Sequence, residues 1–409
     1  MFLSEPQRNY FLRRHVSRVC FRMATTVSNA RKQIKIQQPK PSFGLGFGLY
    51  LYQNTELSRS SFPVSQRNKQ RTIQRLGRGY RRNVTMDANI KITTVNIHSC
   101  IGTDNIYSAT RVAKVIQKEC PDNVCLQEVE VNNIAIKTRT WSQYHGDDQA
   151  ALIANIVGMK YHAFVPAIRS RAESKWKERH EEVSPCDISG RFDAPPPQFN
   201  RVYLANNNIK TISNKTATRK HTGKFGIAIL SKYPILQIKT HYYCRYKNKT
   251  QRNVMACLVK LPKSNVVWVV NTHLGCHFIG KEQAKQAEEL AFFINSLEKS
   301  SEICGVITCG DFNSPPWYFC IKELQRHGLR DVWEKFRSLD GTFPSHERVI
   351  GIPKYCGSCF RKILRLDYIF LTGHFQCKLV YVDDCYEASF ASDHLPLCAV
   401  VSIDHSQQK

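Results

Sequence analysis

Acid is what the sequence has least of where it begins. Residues 1–86 hold 17 Lys and Arg against 2 acids, whereas residues 87–409 hold 42 against 31. The net charge of +26 is therefore concentrated in the first fifth of the 409-residue chain. An excess of one sign speaks to partners and solubility rather than to fold. It suits an anionic partner such as nucleic acid or acidic lipid, with the basic start inflating the total. The opening "MFLSEPQRNYFLRRHVSRVCFRM" interleaves Arg with Phe, Leu and Val, as a mitochondrial presequence does. The same residues also read as a disordered basic tail, or as a stretch upstream of the start in use, with Met23 and Met86 as alternative starts.

Long apolar runs are missing as well. "FGLGFGLYLY" is too short and too rich in glycine to span a bilayer. No apolar run of about 7–15 residues follows the N-terminal charges, so a secretory signal is not expected. The 16 cysteines are then expected as free thiols in a reducing, intracellular compartment: cytoplasmic or nuclear, or mitochondrial if the start is a presequence. Cys125, Cys257, Cys304, Cys309 and Cys398 sit in or beside strand-like runs. The "CGSC" at 356–359 lacks a second pair at zinc-ligand spacing. No internal repeat is visible.

From residue 90 the texture alternates. "IKITTVNI", "NVCLQEVE", "FGIAILSKYPI", "NVMACLVKL", "NVVWVVNTHL", "ICGVITCG", "LDYIFL" and "LCAVVSI" read as strands. "SATRVAKVIQKEC" has apolar residues at Val112, Val115 and Ile116, a helical spacing. "DDQAALIANIVGMK" reads as a helix capped by Asp147, and "WYFCIKELQRHG" as a helix stopped by glycine. "KEQAKQAEELAFFINSLEK" reads as an amphipathic helix with Ala284, Ala287, Leu290, Ala291 and Ile294 inside. Residues 169–222 show no clear element and carry a Pro triplet at 195–197; a span this long is read as an insertion. Two domains of unequal kind are expected: the tail, 1–86, and a catalytic domain, 87–409, carrying the insertion.

Polar residues gather at strand ends. Asn96 ends "ITTVN", Glu128 ends "VCLQE", His273 ends "VVWVVNTH", Asp311 and Asn313 follow "VITCG", Asp367 opens "LDYIFL", and Asp393 and His394 precede the last strand. Each alone has an ordinary structural reading, as a helix cap, a turn or a satisfied strand-end side chain. Together they point to one cleft, because a carboxylate at a half-buried strand end is costly unless paired. Oxygen donors in such a cleft favour Mg²⁺ or Mn²⁺ over zinc, and histidines beside acids allow proton transfer near neutral pH.

Taken in order, "VNIH", "LQEVE", "NTHLG", "GDFNSPP", "LDYIF" and "ASDHLPL" resemble the endonuclease/exonuclease/phosphatase superfamily of deoxyribonuclease-I-like hydrolases, over about residues 90–404. The resemblance implies an α/β fold: a four-layer α/β sandwich of two packed mixed sheets flanked by helices. It implies Glu128 as the principal metal ligand, assisted by Asn96 and Asp393, with Mg²⁺ or Mn²⁺ bound. It implies that Asp311 orients or deprotonates the attacking water and that Asn313 holds the nucleophile or the phosphate. His394 would contact the phosphoryl oxygens, with Asp367 fixing its tautomer and favouring its cation. His273 would donate a proton or hydrogen bond on the leaving-group side. Arg252, with Asn96 and Asn313, would bind substrate phosphate. The chain departs from the pattern at Ile227 in "GIAILS", where many relatives carry Asn, and in the long insertion, which holds 12 Lys and Arg against 6 acids over 169–224.

The expected activity is that of a monomeric phosphodiesterase acting on an anionic phosphate ester, with nucleic acid ahead of phospholipid, sphingolipid or inositol phosphate. The alternative of another class is an inactive relative that holds nucleic acid or membrane through its basic surface.

Overall fold

The computed structural model describes residues 89–132, 145–171, 188–193 and, apart from short breaks and residues 350–361, residues 222–403. The readings of residues 1–86, of "CGSC" and of most of the insertion lie outside the described residues. In chain order the described elements are β1 (Ile90–Asn96), α1 (Ala109–Lys118), β2 (Asn123–Val131), α2 (Gln149–Val157), β3 (Tyr161–Arg171), β4 (Ser189–Arg191), β5 (Thr222–Ser231), β6 (Ile235–Tyr242), β7 (Asn253–Lys260), β8 (Val266–His273), α3 (Lys281–Asn295), β9 (Ile303–Asp311), α4 (Phe319–Arg326), β10 (Arg330–Asp331), β11 (Asp367–Leu371), β12 (Phe375–Val382), α5 (Tyr386–Ala391) and β13 (Leu397–Ile403). No helix among the described residues is long and apolar enough to cross a membrane.

The strands form two mixed sheets, ordered β12-β13-β1-β2-β5-β3-β4 and β10-β11-β9-β8-β7-β6. Each sheet contains one parallel pair joined through a helix: β1-α1-β2 in the first and β8-α3-β9 in the second. Antiparallel strands flank both pairs. The expected four-layer α/β sandwich is what the chain forms.

Period-two side-chain alternation builds the layers. In β8, Val267 and Val269 enter the core that includes the space between the sheets, while Trp268 and Val270 pack outward. The outward set meets Ala287, Leu290, Ala291 and Ile294 of α3 and Ile321 and Leu324 of α4. Val112, Ala113, Val115 and Ile116 of α1 and Ile153 and Ala154 of α2 join the first core. The five cysteines expected as buried thiols are buried and free.

A polar tie lies between the sheets. Asn271 of β8 donates through Nδ2 to the carbonyls of Leu126 and Ala228, at 2.8 Å each, and its Oδ1 accepts from Gln127 Nε2 at 2.7 Å. Gln127 also donates to Thr94 Oγ1 at 3.0 Å. The two sheets are thus pinned in register by groups that a purely apolar core would lack.

Some local readings are corrected. The cap of α2 is Asp148, which accepts from Ala151 N at 3.0 Å; Asp147 instead accepts from the Tyr107 hydroxyl at 2.8 Å. In α3, Ala284 is only half-buried, and Glu282, Gln283 and Gln286 are buried with the apolar set. The strands β6 and β12 had no sequence reading because both lie at sheet edges, where one flank is solvated and Lys and Gln interrupt the apolar pattern. The short strand β4 pairs with β3 inside the segment read as an insertion.

Asn271→Leu removes the side-chain donor to two strand carbonyls and the acceptor of the Gln127 amide across the sheets. Stability is expected to fall by about 3 kcal/mol or more, read as a lowered urea midpoint at unchanged slope.

Candidate active site

Register puts three functional groups in a row on the second sheet. His273 of β8 pairs with Asp311 of β9, and Asp311 pairs with Asp367 of β11. Opposed residues on adjacent strands project to the same face, and alternation with Val267 and Val269 aims this row at the first sheet. The first sheet answers with Asn96 at the end of β1 and with His394, three residues before β13.

The two sheets meet through these side chains. Asn96 Nδ2 donates to Asp311 Oδ2 at 3.0 Å. His394 Nδ1 lies 2.8 Å from Asp367 Oδ2, and its Nε2 lies 3.8 Å from Asp311 Oδ2. His273 Nε2 is 3.4 Å from the same Asp311 oxygen. The other Asp311 oxygen accepts from the backbone N–H of Asn313 at 2.8 Å, an Asx turn that carries Asn313 into the left-handed region at φ +47°. Donor atoms of Asp311, Asp367 and His394 all fall within 4.8 Å of one another.

Burial sets the electrostatics. Asp311 and Asp367 are 1% and 0% exposed. Burial raises the Asp311 carboxyl well above the usual carboxylate range; the His394 charge opposes that rise and Asp367 adds to it. Burial alone would push His394 down, but Asp367, Asp311 and Asp393 more than offset it and hold the imidazole well above its ordinary value. His394 is therefore the cation that lets two carboxylates share the interior.

Loops and backbone hold the outer groups. Glu128 is buried in a β-bulge of β2, between Leu126 and Val129, with φ +57°. A non-glycine residue there carries strain of roughly 1–3 kcal/mol, which the flanking ladder and the inter-sheet bonds of Gln127 overcome. Asn96 Oδ1 accepts from His98 N at 3.0 Å, and Ser392 Oγ donates to Asn96 O at 2.6 Å. Ser392 Oγ also accepts from His394 N at 3.2 Å, so this serine fixes the chain on either side of the cleft. It lies within "ASDHLPL" but reads there as an ordinary small residue. Asp393 faces His98, with Oδ2 at 3.9 Å from Nε2.

The row of sheet residues, Asn96, Asn313 and His394 are joined by direct contacts. Glu128 follows Gln127, the register partner of Asn96 on the first sheet, and Asp393 directly precedes His394. Arg252, read from the sequence as a phosphate ligand, is 8% exposed, and its Nη1 lies 2.9 Å from His273 Nδ1. Ile227 is buried in the core, away from any polar role.

Glu128, Asp393 and Asn96 offer only oxygen donors, and Asn96 keeps one lone pair of Oδ1 beyond its bond to His98. That donor chemistry fits a hard divalent cation.

The chain is thus a two-sheet α/β sandwich with a buried acid–histidine cluster at the strand ends. Residues 93–394 match the Endonuclease/Exonuclease/phosphatase family, and the chain belongs to it. It is an enzyme of the class that hydrolyses phosphoric esters. Solved structures of similar fold include an endonuclease/exonuclease/phosphatase from Beutenbergia cavernae, at 18% identity and TM-score 0.53, covering 77% of this chain and 72% of that one. Another is a family protein from Bacteroides vulgatus, at 16% identity and TM-score 0.50, covering 78% and 100%. No curated protein matches the chain.

Asp367→Asn removes the carboxylate that favours the His394 cation. The His394 pKa is expected to fall, because the charged form loses its nearest partner while burial still disfavours it; NMR titration of the ring measures the shift.

Proposed function

We propose that the chain is a divalent-metal-dependent phosphodiesterase with nucleic acid as its preferred substrate class. The observation that carries the reading is the convergence of Asp311, Asp367, His273, His394 and Asn96 from both sheets through direct contacts.

In this reading Asp311 takes a proton from the attacking water. Its raised proton affinity suits a base working near neutral pH, and Asn96 and the Asn313 N–H fix its oxygens. Asn313, whose Nδ2 donates to Leu274 O at 3.1 Å, orients the nucleophile or a phosphate oxygen. His394, held cationic, stabilises the charge that develops on the phosphoryl oxygens. Glu128, Asp393 and Asn96 would hold Mg²⁺ or Mn²⁺, which supplies Lewis-acid polarisation of the phosphate.

The substrate class is supported by what surrounds the cleft. Arg169 pairs in register with Lys224, and Lys224 with Val131, three residues past Glu128. Two bases therefore stand at the same end of the first sheet as the site. The loop leaving β9 carries the exposed Trp317, an aromatic surface on which a base can stack.

The test uses the full chain and bis(p-nitrophenyl) phosphate. Hydrolysis is expected with Mg²⁺, lost with EDTA and restored by Mg²⁺ or Mn²⁺. Asp311→Ala and His394→Ala should each lower kcat by roughly a thousandfold at unchanged circular dichroism; normal turnover in either variant would overturn the assignment. With single- and double-stranded DNA, RNA, sphingomyelin and inositol phosphates as competing substrates, turnover of sphingomyelin alone would sink the nucleic-acid reading.

A further inference from the structure

The contact between Arg252 and His273 restricts where the imidazole keeps its hydrogen. Arg252 Nη1 lies 2.9 Å from His273 Nδ1. A guanidinium has five N–H donors, no acceptor, and does not lose its proton in proteins. The bond therefore needs a lone pair on Nδ1. The single ring hydrogen is then on Nε2, and the imidazolium is excluded, because a hydrogen on Nδ1 would face the guanidinium.

The other side of the ring faces one acceptor and one donor. Nε2 lies 3.4 Å from Asp311 Oδ2, an acceptor in reach. It also lies 3.1 Å from Asn313 Nδ2. That amide is oriented by Leu274 O, which accepts from the same Nδ2 at 3.1 Å, so Asn313 turns a donor toward Nε2 and only the turn toward Asp311 gives an Nε2–H an acceptor; a second hydrogen on Nδ1 would add a donor facing the guanidinium.

Arg252 is itself held in place. A buried guanidinium requires a counter-charge, and Glu282 of α3, 2% exposed, lies within its electrostatic reach. Glu282 sits where it does because Gly275 leaves room: a Cβ there would fall 2.0 Å from the Glu282 carboxyl carbon. The glycine of "NTHLG", two residues past His273, thus admits the acid that accompanies the arginine.

We propose that Arg252 is a positioning residue that holds His273 as the neutral imidazole with its hydrogen on Nε2, so that His273 serves as a hydrogen-bond donor beside Asp311 and not as a cationic acid. The catalytic half of this statement rests on the phosphodiesterase reading; the placement of the hydrogen does not.

Nitrogen-15 NMR of the full, metal-free chain reads the placement directly, with the His273 signals assigned by their loss in His273→Gln. The expected pattern is an unprotonated Nδ1 and a protonated Nε2 that persists between about pH 6 and 8, the range in which an unconstrained histidine changes charge. In Arg252→Met the ring is expected to gain its second hydrogen within that range. A doubly protonated ring, or one with its hydrogen on Nδ1, in the unsubstituted chain overturns the proposal whether or not any ester is hydrolysed. If Arg252→Met does not fold, the unsubstituted spectrum decides alone. The catalytic half is read with bis(p-nitrophenyl) phosphate. His273→Gln, which keeps an N–H donor at a similar reach, is expected to retain kcat within about tenfold, and His273→Ala to lose about a hundredfold. A Gln variant as impaired as the Ala variant would overturn the donor role. A chain that hydrolyses none of the esters, yet shows the Nε2–H ring, would overturn the function reading and leave the placement standing.

Discussion

Two carboxylates opposed across one antiparallel pair, both buried, are the arrangement on which the rest of the structure depends. Asp311 and Asp367 are direct partners of β9 and β11. Like charges in that position repel, and burial strips both of most of their hydration. The solution is a cation delivered from the other sheet: His394 reaches across and lies between them. The charges that make the site reactive therefore also help bind the two sheets. Asn96, donating to Asp311 from the end of β1, adds a second strap in the same place.

The topology explains why these groups share one edge. Among the described residues each sheet has a single parallel pair, and parallel strands joined through a helix leave their carboxyl ends side by side. Asn96, Glu128, His273 and Asp311 all stand at or near the carboxyl ends of β1, β2, β8 and β9. Because the sheets pack with those ends together, four strand termini become four walls of one cleft. The tie from Gln127 to Asn271, and from Asn271 to the carbonyls of Leu126 and Ala228, sits just below and fixes the separation at which the walls can touch. A purely apolar interface would tolerate sliding; this one exacts a buried unsatisfied group for any slip.

What could be read from the sequence was what sits within a few residues of a distinctive run. Asp311, His273 and His394 each follow or precede a β-branched stretch, and their order along the chain identified the family. Most central strands were legible for the same reason; β3, which lies between β5 and β4, was not, because His162, Pro166 and Arg169 break its apolar run. The edge strands β6 and β12 were not, since solvent on one flank allows Lys and Gln among their residues. The cap of α2 slipped by one because two aspartates stand side by side, and only the pull of the Tyr107 hydroxyl on Asp147 separates their roles. Partnerships were the least legible part. Arg252 and His273 stand 21 positions apart and nothing between them announces that they touch, and Ser392 looks like a small residue in a turn until its bonds to Asn96 and His394 are drawn.

The two histidines carry this lesson furthest. Both end or precede an apolar strand, both lie against Asp311, and nothing in their local sequence distinguishes them. What differs is the group on Nδ1: a carboxylate at His394, a guanidinium at His273. An acceptor there keeps a hydrogen on Nδ1 and leaves Nε2 free to carry a second, so the ring can be a cation. A donor there forbids the hydrogen and confines the ring to neutrality. One residue type thus takes two protonation states on either side of the same carboxylate, and the division is made by side chains that arrive from other strands. In a cleft of this kind an imidazole's chemistry is assigned from the far side of its ring.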